Sequence, residues 1–434
     1  MFKKFIQSKL ERSVQKYFKK HPEVKLIVVA GSVGKTSTKI AIGTVLAEKF
    51  RIRLHEGNHN SELSAPLAIL GVEYPEDIRK LGQWLTVFKA IKQRISQPTD
   101  VDVIVQELGT DGIGQIPHFG TYLTPDIAVI TSVSPEHMEF FKTLEAVAAE
   151  ELAAANFSKQ ALINRDTIDG AFAADITNPN INTYGNTDVA EYRFITDDYT
   201  FEDGFTGEFI APEWAESTTA TLHLVGDHST HSAVAAGAVG VKLGLNPDEL
   251  ARGLGAIRAV NGRMNLLRGL KESIIIDDTY NSSPLAAASA IRALYQMNVP
   301  QKIAVLGSMN ELGETSAYEH EVLGKLLDPV ELSHVIIVGD EAAKYVAPAA
   351  KSKGCHVVIA KNAIEAGTIA HQYLEAGAAV LFKGSEGGIF LEEAVKIVLH
   401  ATDEQEQLVR QSPAWLEKKQ KFFEAQTGVV ESND

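Results

Sequence analysis

The residues with the clearest chemical potential follow an apolar, strand-like run, Leu26 to Ala30. Glycines in the following turn let backbone N–H groups approach an anion, and the helical pattern after them adds the positive end of a helix dipole. Lys35 would reach the β- and γ-phosphates of a nucleotide, and the Thr36 hydroxyl would face Mg²⁺. The competing interpretation is a glycine-rich turn with a chance lysine. Because the strand-like run, the glycines, the lysine and the hydroxyl all agree, we predict a phosphate loop that is shorter than the usual one. It is formed by Gly31, Ser32, Val33, Gly34, Lys35, Thr36 and Ser37.

Two further candidates lie at the ends of strand-like segments. Glu107 ends the apolar pattern VDVIVQEL, and His137 follows the next one, DIAVITSV. In a parallel sheet both would lie at the edge that carries the phosphate loop, where metal ligands are expected. A lone histidine is more often a surface or capping residue, but a second candidate beside a phosphate loop favours a metal site. We expect Glu107 and His137 to bind metal.

Polar residues also follow strand-like segments later in the chain. Asp277 and Asp278 form an acidic pair that is equally compatible with catalysis and with capping of the next turn. Lys383 ends the last strand pattern, where it could hold an anion. Asn58 and Asn60 lie in a polar turn, and their residue types alone favour an ordinary loop.

Composition narrows the class of protein. The chain has 434 residues and a formal net charge of −15, which argues against general binding of nucleic acids. Its single cysteine, Cys355, rules out a disulfide framework and a cysteine-rich zinc site, and it fits a reducing cytoplasm. Neither a membrane-spanning run nor a signal peptide is evident. We expect a cytoplasmic protein.

The first twenty residues are basic, although the whole chain is acidic. Apolar residues recur there at near-helical spacing, which predicts an amphipathic helix. Such a helix either lies on an anionic membrane surface or docks on the core of its own domain. We favour docking, and a peripheral membrane contact by residues 1–20 stays open.

The remaining chain alternates between strand-like and helical segments, which predicts α/β architecture with parallel sheets. Residues 180–225 are instead aromatic and acidic in short runs, as in antiparallel hairpins. A second alternating series with five strand candidates begins near Arg263. We expect a central ATPase-like sheet domain and a C-terminal Rossmann-like α/β domain, with the basic helix at 1–22 and the domains at 23–262 and 263–434.

Six segments together resemble the Mur ligases, ATP-dependent amide-forming enzymes of peptidoglycan synthesis, and among them the MurF type. They occur in the order of that family and cover about residues 25–395. Their sequences are AGSVGKTSTK, GNHNSELSAPLAIL, QELGTDGIGQI, ITSVSPEHMEFFKTLEAVA, GRMN followed by IIIDDTYNSSP, and AVLGSMNELGE.

The resemblance implies a reaction in which ATP phosphorylates a carboxylate and an incoming amine displaces the phosphate. Lys35, His137 and Arg263 would be catalytic, and Lys35 would hold phosphates. Thr36 and Glu107 would bind one Mg²⁺, and His137 a second. Arg263 and Asp278 would close over the nucleotide from the C-terminal domain. Asn58, Asn60, Asn281, Ser282 and Lys383 are the implied substrate residues. The implied partners are a muramoyl-tripeptide-like acceptor and D-alanyl-D-alanine, acted on by a monomer.

The chain departs from the family at several points. About 24 residues precede the phosphate-loop strand, so we expect the usual UDP-binding N-terminal domain to be missing. Glu151 aligns with the carbamylated lysine of many Mur ligases, and we expect it to replace that group as a catalytic and metal-binding residue. A solvent-facing Glu151 is the alternative. Ser229 and Ser232 stand where asparagines are usual, and Glu386 where a basic residue is usual.

Two other functions stay open. One is another ligase of the superfamily, similar to folylpolyglutamate or cyanophycin synthetases, with a different amino-acid acceptor. The other is an ATP-binding scaffold that has lost catalysis, which the acidic Glu386 suggests. The segments LGSMNELGE and DDTYNSSP favour the MurF-type ligase over both.

Overall fold

The computed structural model describes residues 2–55, 59–75 and 77–427. Asn58, one of the expected substrate residues, lies outside the described residues. Within them the chain separates into two compact units. The first comprises the described residues through Leu224 together with Ser229–Arg258, and the second comprises Val225–His228 with the described residues from Ala259 onward.

The first unit is built on a sheet that, in its described part, has nine strands in the order β2-β3-β1-β4-β5-β6-β7-β8-β9. The pairs from β2 through β7 are parallel, and β7-β8 and β8-β9 are antiparallel. The expected parallel sheet with added hairpins is therefore confirmed. The strands are β1 (Lys25–Ala30), β2 (Ile52–Leu54), β3 (Val103–Glu107), β4 (Ile127–Ile130), β5 (Gln160–Asn164), β6 (Ile181–Gly185), β7 (Tyr192–Thr200), β8 (Gly204–Ile210) and β9 (Thr218–Leu222).

Helices cover this sheet, and the one that matters most for the site begins directly after the phosphate loop, at Lys35. Gly34 precedes it in the left-handed conformation, with a φ of 90°. The helices are α1 (Phe2–Lys20), α2 (Lys35–Leu46), α3 (Ser64–Leu70), α4 (Leu81–Ser96), α5 (Gln115–Phe119), α6 (Met138–Phe141), α7 (Leu144–Asn156), α8 (Asp227–Lys242), most of which belongs to this unit, and α9 (Pro247–Ala256), with a 3-10 segment at Gly170–Asp175.

The central strand β1 shows why an uninterrupted apolar run forms here. Successive side chains of a strand point to opposite faces, and both faces of this sheet are covered. Leu26 and Val28 pack into the core on one face, and Ile27 and Val29 into the core on the other. The two cores hold the strand ends, and hence the site, in fixed positions.

The N-terminal helix α1 is docked on the first core, as we favoured from the sequence. Its buried residues Ile6, Leu10, Val14 and Tyr17 form one stripe at helical spacing. Among the described residues, no helix combines the length and the apolar composition needed to span a membrane.

The second unit contains a sheet whose described strands, six in number, follow the order β10-β11-β15-β12-β13-β14. All five strand candidates of the second series are present and pair in parallel, whereas β10, which pairs antiparallel with β11, was not expected. The strands are β10 (Asn265–Arg268), β11 (Ile274–Asp278), β12 (Lys302–Gly307), β13 (His334–Val338), β14 (Val357–Ala360) and β15 (Ala379–Lys383).

Helices alternate with these strands, as in a Rossmann-like domain. The C-terminal tail, expected to be helical, ends in α15 within the described residues. The helices are α10 (Pro284–Gln296), α11 (Ser316–Leu326), α12 (Ala347–Ser352), α13 (Ala363–Tyr373), α14 (Glu392–Val398) and α15 (Pro413–Thr427), with 3-10 segments at Leu270–Glu272, Gly313–Thr315 and Thr402–Gln407 and a π segment at Ala342–Val346.

Candidate active site

The turn between β1 and α2 is shaped by hydrogen bonds to the segment that follows β4. Ser32 N donates to Ser132 O at 3.0 Å, and Val33 N donates to Ser132 Oγ at 2.8 Å. Gly31 adopts a φ of +124°, and a Cβ added there would lie 2.3 Å from Thr131 Oγ1. Only glycine fits this position, because a side chain would clash with Thr131, which follows the neighbouring strand β4.

Lys35 reaches back over the loop that it was expected to serve. Its Nζ donates to Gly31 O at 2.5 Å and to Ser32 O at 3.2 Å. Glu136 Oε2 lies 3.7 Å from the same ammonium. The lysine is therefore placed at the loop by both backbone carbonyls and a neighbouring carboxylate.

Glu107 is joined to the phosphate loop and to the asparagine loop. Thr36 Oγ1 donates to Glu107 Oε2 at 3.0 Å, and Asn60 Nδ2 donates to Glu107 Oε1 at 3.2 Å. Gly109 makes this approach possible, because a Cβ there would lie 2.5 Å from Asn60 Nδ2. The start of α2, the loop that contains Asn60 and the end of β3 are separate in the sequence, and they thus meet at the Glu107 carboxylate.

His137 lies near the same group of residues, through Glu136. His137 Nε2 is 3.6 Å from Glu136 Oε1, and Glu136 also approaches Lys35. Asp111 Oδ1 is 3.9 Å from His137 Nε2. The expected strand-end residues Glu107 and His137 are therefore both connected to the Lys35-Thr36 segment, Glu107 directly and His137 through one intervening side chain.

The carboxyl group of Glu151 is buried beneath the phosphate loop, so the solvent-facing alternative is wrong. Gly31 N donates to Glu151 Oε2 at 2.6 Å, and the residue is 2% exposed. Burial raises the pKa of Glu151 to about 7; the Lys35 charge opposes this rise, and Glu136 adds to it. Glu151 therefore supports the loop backbone directly.

Its neighbour Glu150 has a different structural task. Glu150 Oε2 accepts from Gly114 N and Oε1 accepts from Ile116 N, both at 2.6 Å. Thr110 Oγ1 donates to Glu150 Oε1 at 3.3 Å. Glu150 thus fixes the segment after β3, and its oxygens are occupied by this protein's own donors.

The donor types at Thr36 and Glu107 suit Mg²⁺. A hydroxyl and a carboxylate are oxygen ligands, which Mg²⁺ prefers, and it typically takes only one or two protein carboxylates beside substrate phosphates. Across the part of the chain that the structure describes, three or more His, Cys, Asp or Glu side chains nowhere gather as a metal-binding group. Thr36 and Glu107 therefore fit an ion whose other ligands include substrate phosphates.

The second unit has a polar cluster at the ends of β11 and β15. Lys383 Nζ lies 2.9 Å from Asp278 Oδ2 and donates to Asn281 O at 2.5 Å. Ser385 Oγ donates to Ser282 O at 3.3 Å. The buried Lys383 therefore holds the segment Asp278–Ser282, and it is bound to protein groups rather than open to solvent.

Asp277 occupies the turn-capping role that we left open. Its Oδ1 accepts from Thr279 Oγ1 at 2.6 Å, and its Oδ2 accepts from Gly262 N at 3.1 Å. Burial raises the pKa of Asp277 to about 6; the hydrogen bonds from Thr279 oppose this rise, and the nearby charge of Asp278 adds to it. Of the acidic pair, Asp277 is thus wholly enclosed, and Asp278 faces Lys383.

Two arginines approach Tyr280 in this unit. The Arg263 guanidinium carbon lies 4.2 Å from the centre of the Tyr280 ring. Arg410, which the sequence did not single out, donates to the carbonyls of Tyr280 at 3.0 Å and Thr279 at 2.7 Å. Arg410 also donates twice to the buried Glu392. Its position in an irregular C-terminal segment gave no signal of this role.

The serine substitutions at the start of α8 are satisfied locally. Ser232 Oγ donates to Ser229 O at 2.7 Å. Next to them, His231 Nε2 lies 3.0 Å from Asp166 Oδ2. The departure from asparagine therefore leaves a compact hydrogen-bonded helix end.

Sequence reasoning also missed Lys39 and Glu136. Lys39 Nζ lies 3.7 Å from Glu107 Oε2 and donates to His55 O at 3.0 Å. A signal was present, because Lys39 follows Lys35 by four residues and so lies on the same face of α2. Glu136 carried no such signal, since it is one polar residue among several in a turn.

Comparison with known proteins identifies the family of the chain. The Mur ligase middle domain model matches residues 29–240, and the Mur ligase glutamate ligase domain model matches residues 262–386. The chain belongs to the Mur ligase family.

Named relatives lie in the MurF type. The UDP-N-acetylmuramoyl-tripeptide–D-alanyl-D-alanine ligase of Bacillus subtilis is 27% identical over 385 residues, which are 87% of this chain and 76% of that protein. The ligase of the same name from Rickettsia prowazekii is 25% identical and covers 86% and 77%.

Solved structures show the same fold. MurF from Acinetobacter baumannii superposes with a TM-score of 0.74 at 21% identity, over 92% of this chain and 80% of that one. MurF from Thermotoga maritima in complex with ADP gives a TM-score of 0.72 at 24% identity, over 95% and 84%. The expected fold class is thereby confirmed.

Proposed function

We propose that this protein is an ATP-dependent ligase that joins D-alanyl-D-alanine to a muramoyl-tripeptide-like acceptor. The acceptor carboxylate takes the γ-phosphoryl group of ATP, which gives an acyl phosphate and ADP. The amine of the dipeptide then attacks the acyl carbon, and phosphate leaves as the amide bond forms. The names of the relatives and the match of both family domains support this reaction.

In the first unit, the residues of the phosphate loop bind and orient the nucleotide phosphates. Backbone N–H groups of Gly31 through Ser37 and the N-terminus of α2 supply donors, and Lys35 supplies a positive charge. Thr36 and Glu107 would hold Mg²⁺, with His137 and Glu151 proposed for a second ion. When bound, Mg²⁺ neutralises charge on the phosphoryl group that is transferred.

In the second unit, Arg263 and Asp278 are proposed to contact the nucleotide, and Asn281 and Ser282 the incoming dipeptide. Lys383 acts on the dipeptide segment indirectly, because its ammonium binds Asn281 O and Asp278. Asn60 likewise belongs to the substrate loop and is fixed by Glu107. Asn58 is proposed as a substrate residue from the resemblance alone.

One observation carries the proposal most strongly. Both carboxylate oxygens of Glu107 accept hydrogen bonds, one from Thr36 on the phosphate-loop helix and one from Asn60 on the substrate loop. A ligase must bring nucleotide and acceptor carboxylate together, since positioning provides much of the rate enhancement of phosphoryl transfer. Glu107 links the two loops that would do so.

The test is phosphate release measured with ATP, Mg²⁺, UDP-N-acetylmuramoyl-tripeptide and D-alanyl-D-alanine, with each substrate also omitted singly. We expect release that requires both substrates. Glu107→Gln should lower the rate by about 10- to 100-fold, because it changes the charge of a residue proposed to bind the metal. The matched control is Glu216→Gln, which alters an exposed glutamate of the same unit.

Other outcomes of the phosphate-release assay would support a different function. Release that needs a different amino-acid acceptor would assign another ligase of the superfamily. No turnover with any substrate pair, together with measurable ATP binding, would favour a scaffold. We further propose that the enzyme acts in the cytoplasm, where its nucleotide is available, and that it works as a monomer on small molecules.

A further inference from the structure

Two neighbouring helices of the first unit, α1 and α4, run in the same direction along their contact. Near their middles, Lys9 Nζ lies 3.8 Å from the centre of the Phe88 ring. Near their ends, Lys20 Nζ donates to Ser96 O at 2.8 Å. Residues one and two turns before Lys9 and Phe88 therefore lie at the same end of the pair.

That end of the pair carries exposed apolar side chains. Phe5 is 64% exposed, Leu81 is 61% exposed and Leu85 is 66% exposed, and Phe2 and Ile78 add to the group. Large apolar residues clustered on a surface, unlike single ones, mark a site of interaction. We call Phe2, Phe5, Ile78, Leu81 and Leu85 the apolar tip.

Basic side chains continue the same exposed stripes along both helices. On α1 the stripe runs from Phe2 and Phe5 to Lys9, Arg12 and Lys16, at spacings of three and four residues. The stripe on α4 runs from Leu81 and Leu85 to Lys89 and Lys92, which are likewise exposed. Each helix thus presents apolar residues at one end, followed by basic residues on the same face.

The charge of this helix pair is opposite to that of the rest of the chain. Helix α1 has seven basic residues and one acidic residue, and α4 has three basic residues and no acidic one, a net charge of +9. The total of −15 then leaves −24 for the remainder. The single acidic residue, Glu11, is turned to His118, 2.7 Å away, so it does not offset the exposed lysines.

We propose that this helix pair binds an anionic lipid bilayer. The apolar tip inserts among the lipid headgroups, and the lysines along the two helices lie against those headgroups. Aromatic and leucine side chains beside lysines are the composition of interfacial helices, and each lysine near an anionic surface strengthens binding. The remaining, acidic surface is repelled by the same bilayer, which orients the protein. Docking of α1 on the core is compatible with this contact, because its buried stripe, Ile6 to Tyr17, lies on a different face.

This inference is independent of the proposed ligase reaction. The test is co-flotation of the full chain with vesicles of phosphatidylcholine alone, or of equal parts phosphatidylcholine and phosphatidylglycerol. We expect binding to the anionic vesicles only. Phe5→Ser with Leu85→Ser, and separately Lys89→Glu with Lys92→Glu, should each weaken binding by about tenfold or more.

Matched controls separate this surface from general effects. Val189→Ser with Val330→Ser removes two exposed apolar residues elsewhere, and Lys351→Glu with Lys361→Glu reverses two exposed lysines elsewhere. Neither control should alter flotation. Circular dichroism melting and phosphate release should be unchanged in all variants, because none of these residues belongs to the proposed active site.

Three results would overturn the proposal. The first is the absence of flotation with anionic vesicles, and the second is flotation that the tip and lysine variants leave unchanged. The third is self-association, seen by sedimentation velocity and abolished by the same variants, without vesicle binding. That last result would show that this surface binds a second copy of the chain. The acidic surface of that copy would then lie against the lysines.

Discussion

Lys39 Nζ lies 3.7 Å from Glu107 Oε2, and each of these side chains is only 4% exposed. The pair joins helix α2 to the end of strand β3, and Glu107 is one of the residues proposed to bind Mg²⁺. A buried charge without a partner destabilises a fold strongly, so removal of either member should be costly. Lys39 and Glu107 thus form a buried ion pair that joins α2 to β3.

Lys39→Met should lower the free energy of unfolding by about 3–5 kcal/mol, because Glu107 would lose its buried partner. Urea unfolding followed by circular dichroism measures this loss. The double variant Lys39→Met with Glu107→Gln should recover part of it. The control is Lys159→Met, which breaks the more exposed pair with Asp126 and should change stability by at most about 1 kcal/mol. Equal effects of the two lysine substitutions would contradict the role given to Lys39.

Glu151→Gln tests whether this residue replaces a carbamylated lysine. The variant keeps an oxygen for Gly31 N but removes the negative charge. We expect a lower rate and a higher Mg²⁺ requirement, whereas added bicarbonate should have no effect on the wild-type protein. Steady-state phosphate release against Mg²⁺ concentration measures both. The control is Glu145→Gln, which changes an exposed residue on the same helix. An unchanged Mg²⁺ dependence in Glu151→Gln would show that Glu151 does not replace the carbamylated lysine.

Asp277 should make the stability of the second unit depend on pH. Its folded pKa of about 6 exceeds the ordinary value of 3.8, so the folded state binds more protons between these values. The stabilisation is therefore complete below about pH 4 and is lost as the pH rises through 6. Relative to Asp277→Asn, the wild-type free energy of unfolding should fall by about 2 kcal/mol between pH 4 and 7. Urea unfolding at several pH values gives this difference, and Asp403→Asn, at an exposed site, should show none.

Arg410 should act as a positioning residue for the segment that contains Tyr280 and Asn281. Arg410→Met removes the bonds to Glu392 and to two backbone carbonyls, and we expect a loss of about 3–5 kcal/mol in unfolding free energy. Arg410→Lys keeps the charge without the planar fork, so it should be intermediate in stability. In the lysine variant, KM for the dipeptide should rise more than kcat falls. Arg268→Met, at an exposed arginine, is the control; a matching loss there would refute the assignment.

The local signals in the sequence were sufficient for the fold class and for much of the site. Apolar runs flanked by turn residues located the central parallel strands, because strands buried on both faces need such runs. The loop before Lys35 was evident from glycines followed by a lysine and a hydroxyl. The antiparallel strand β10 escaped notice, because NLLR is short and its pairing with β11 depends on residues six to twelve positions away.

The side-chain partners could not be predicted in the same way. Nothing near Glu151 in the sequence indicates that its carboxyl group would meet Gly31, which is 120 residues away. Likewise, Lys383 was expected to hold an anion, whereas in the fold it also binds Asn281 O, 102 residues distant. Such contacts arise from the order of strands in a sheet, which pattern and propensity do not encode.

By itself, the sequence determined the chemical groups, the strand-to-helix transitions and the family to which they belong. The tertiary structure alone decided which polar groups are buried together, as with Lys39 and Glu107, and which helices share a surface, as α1 and α4 do. The physical reason is that periodicity and turn chemistry act over a few residues. Burial and the electrostatics that follow from it depend instead on neighbours brought together by packing.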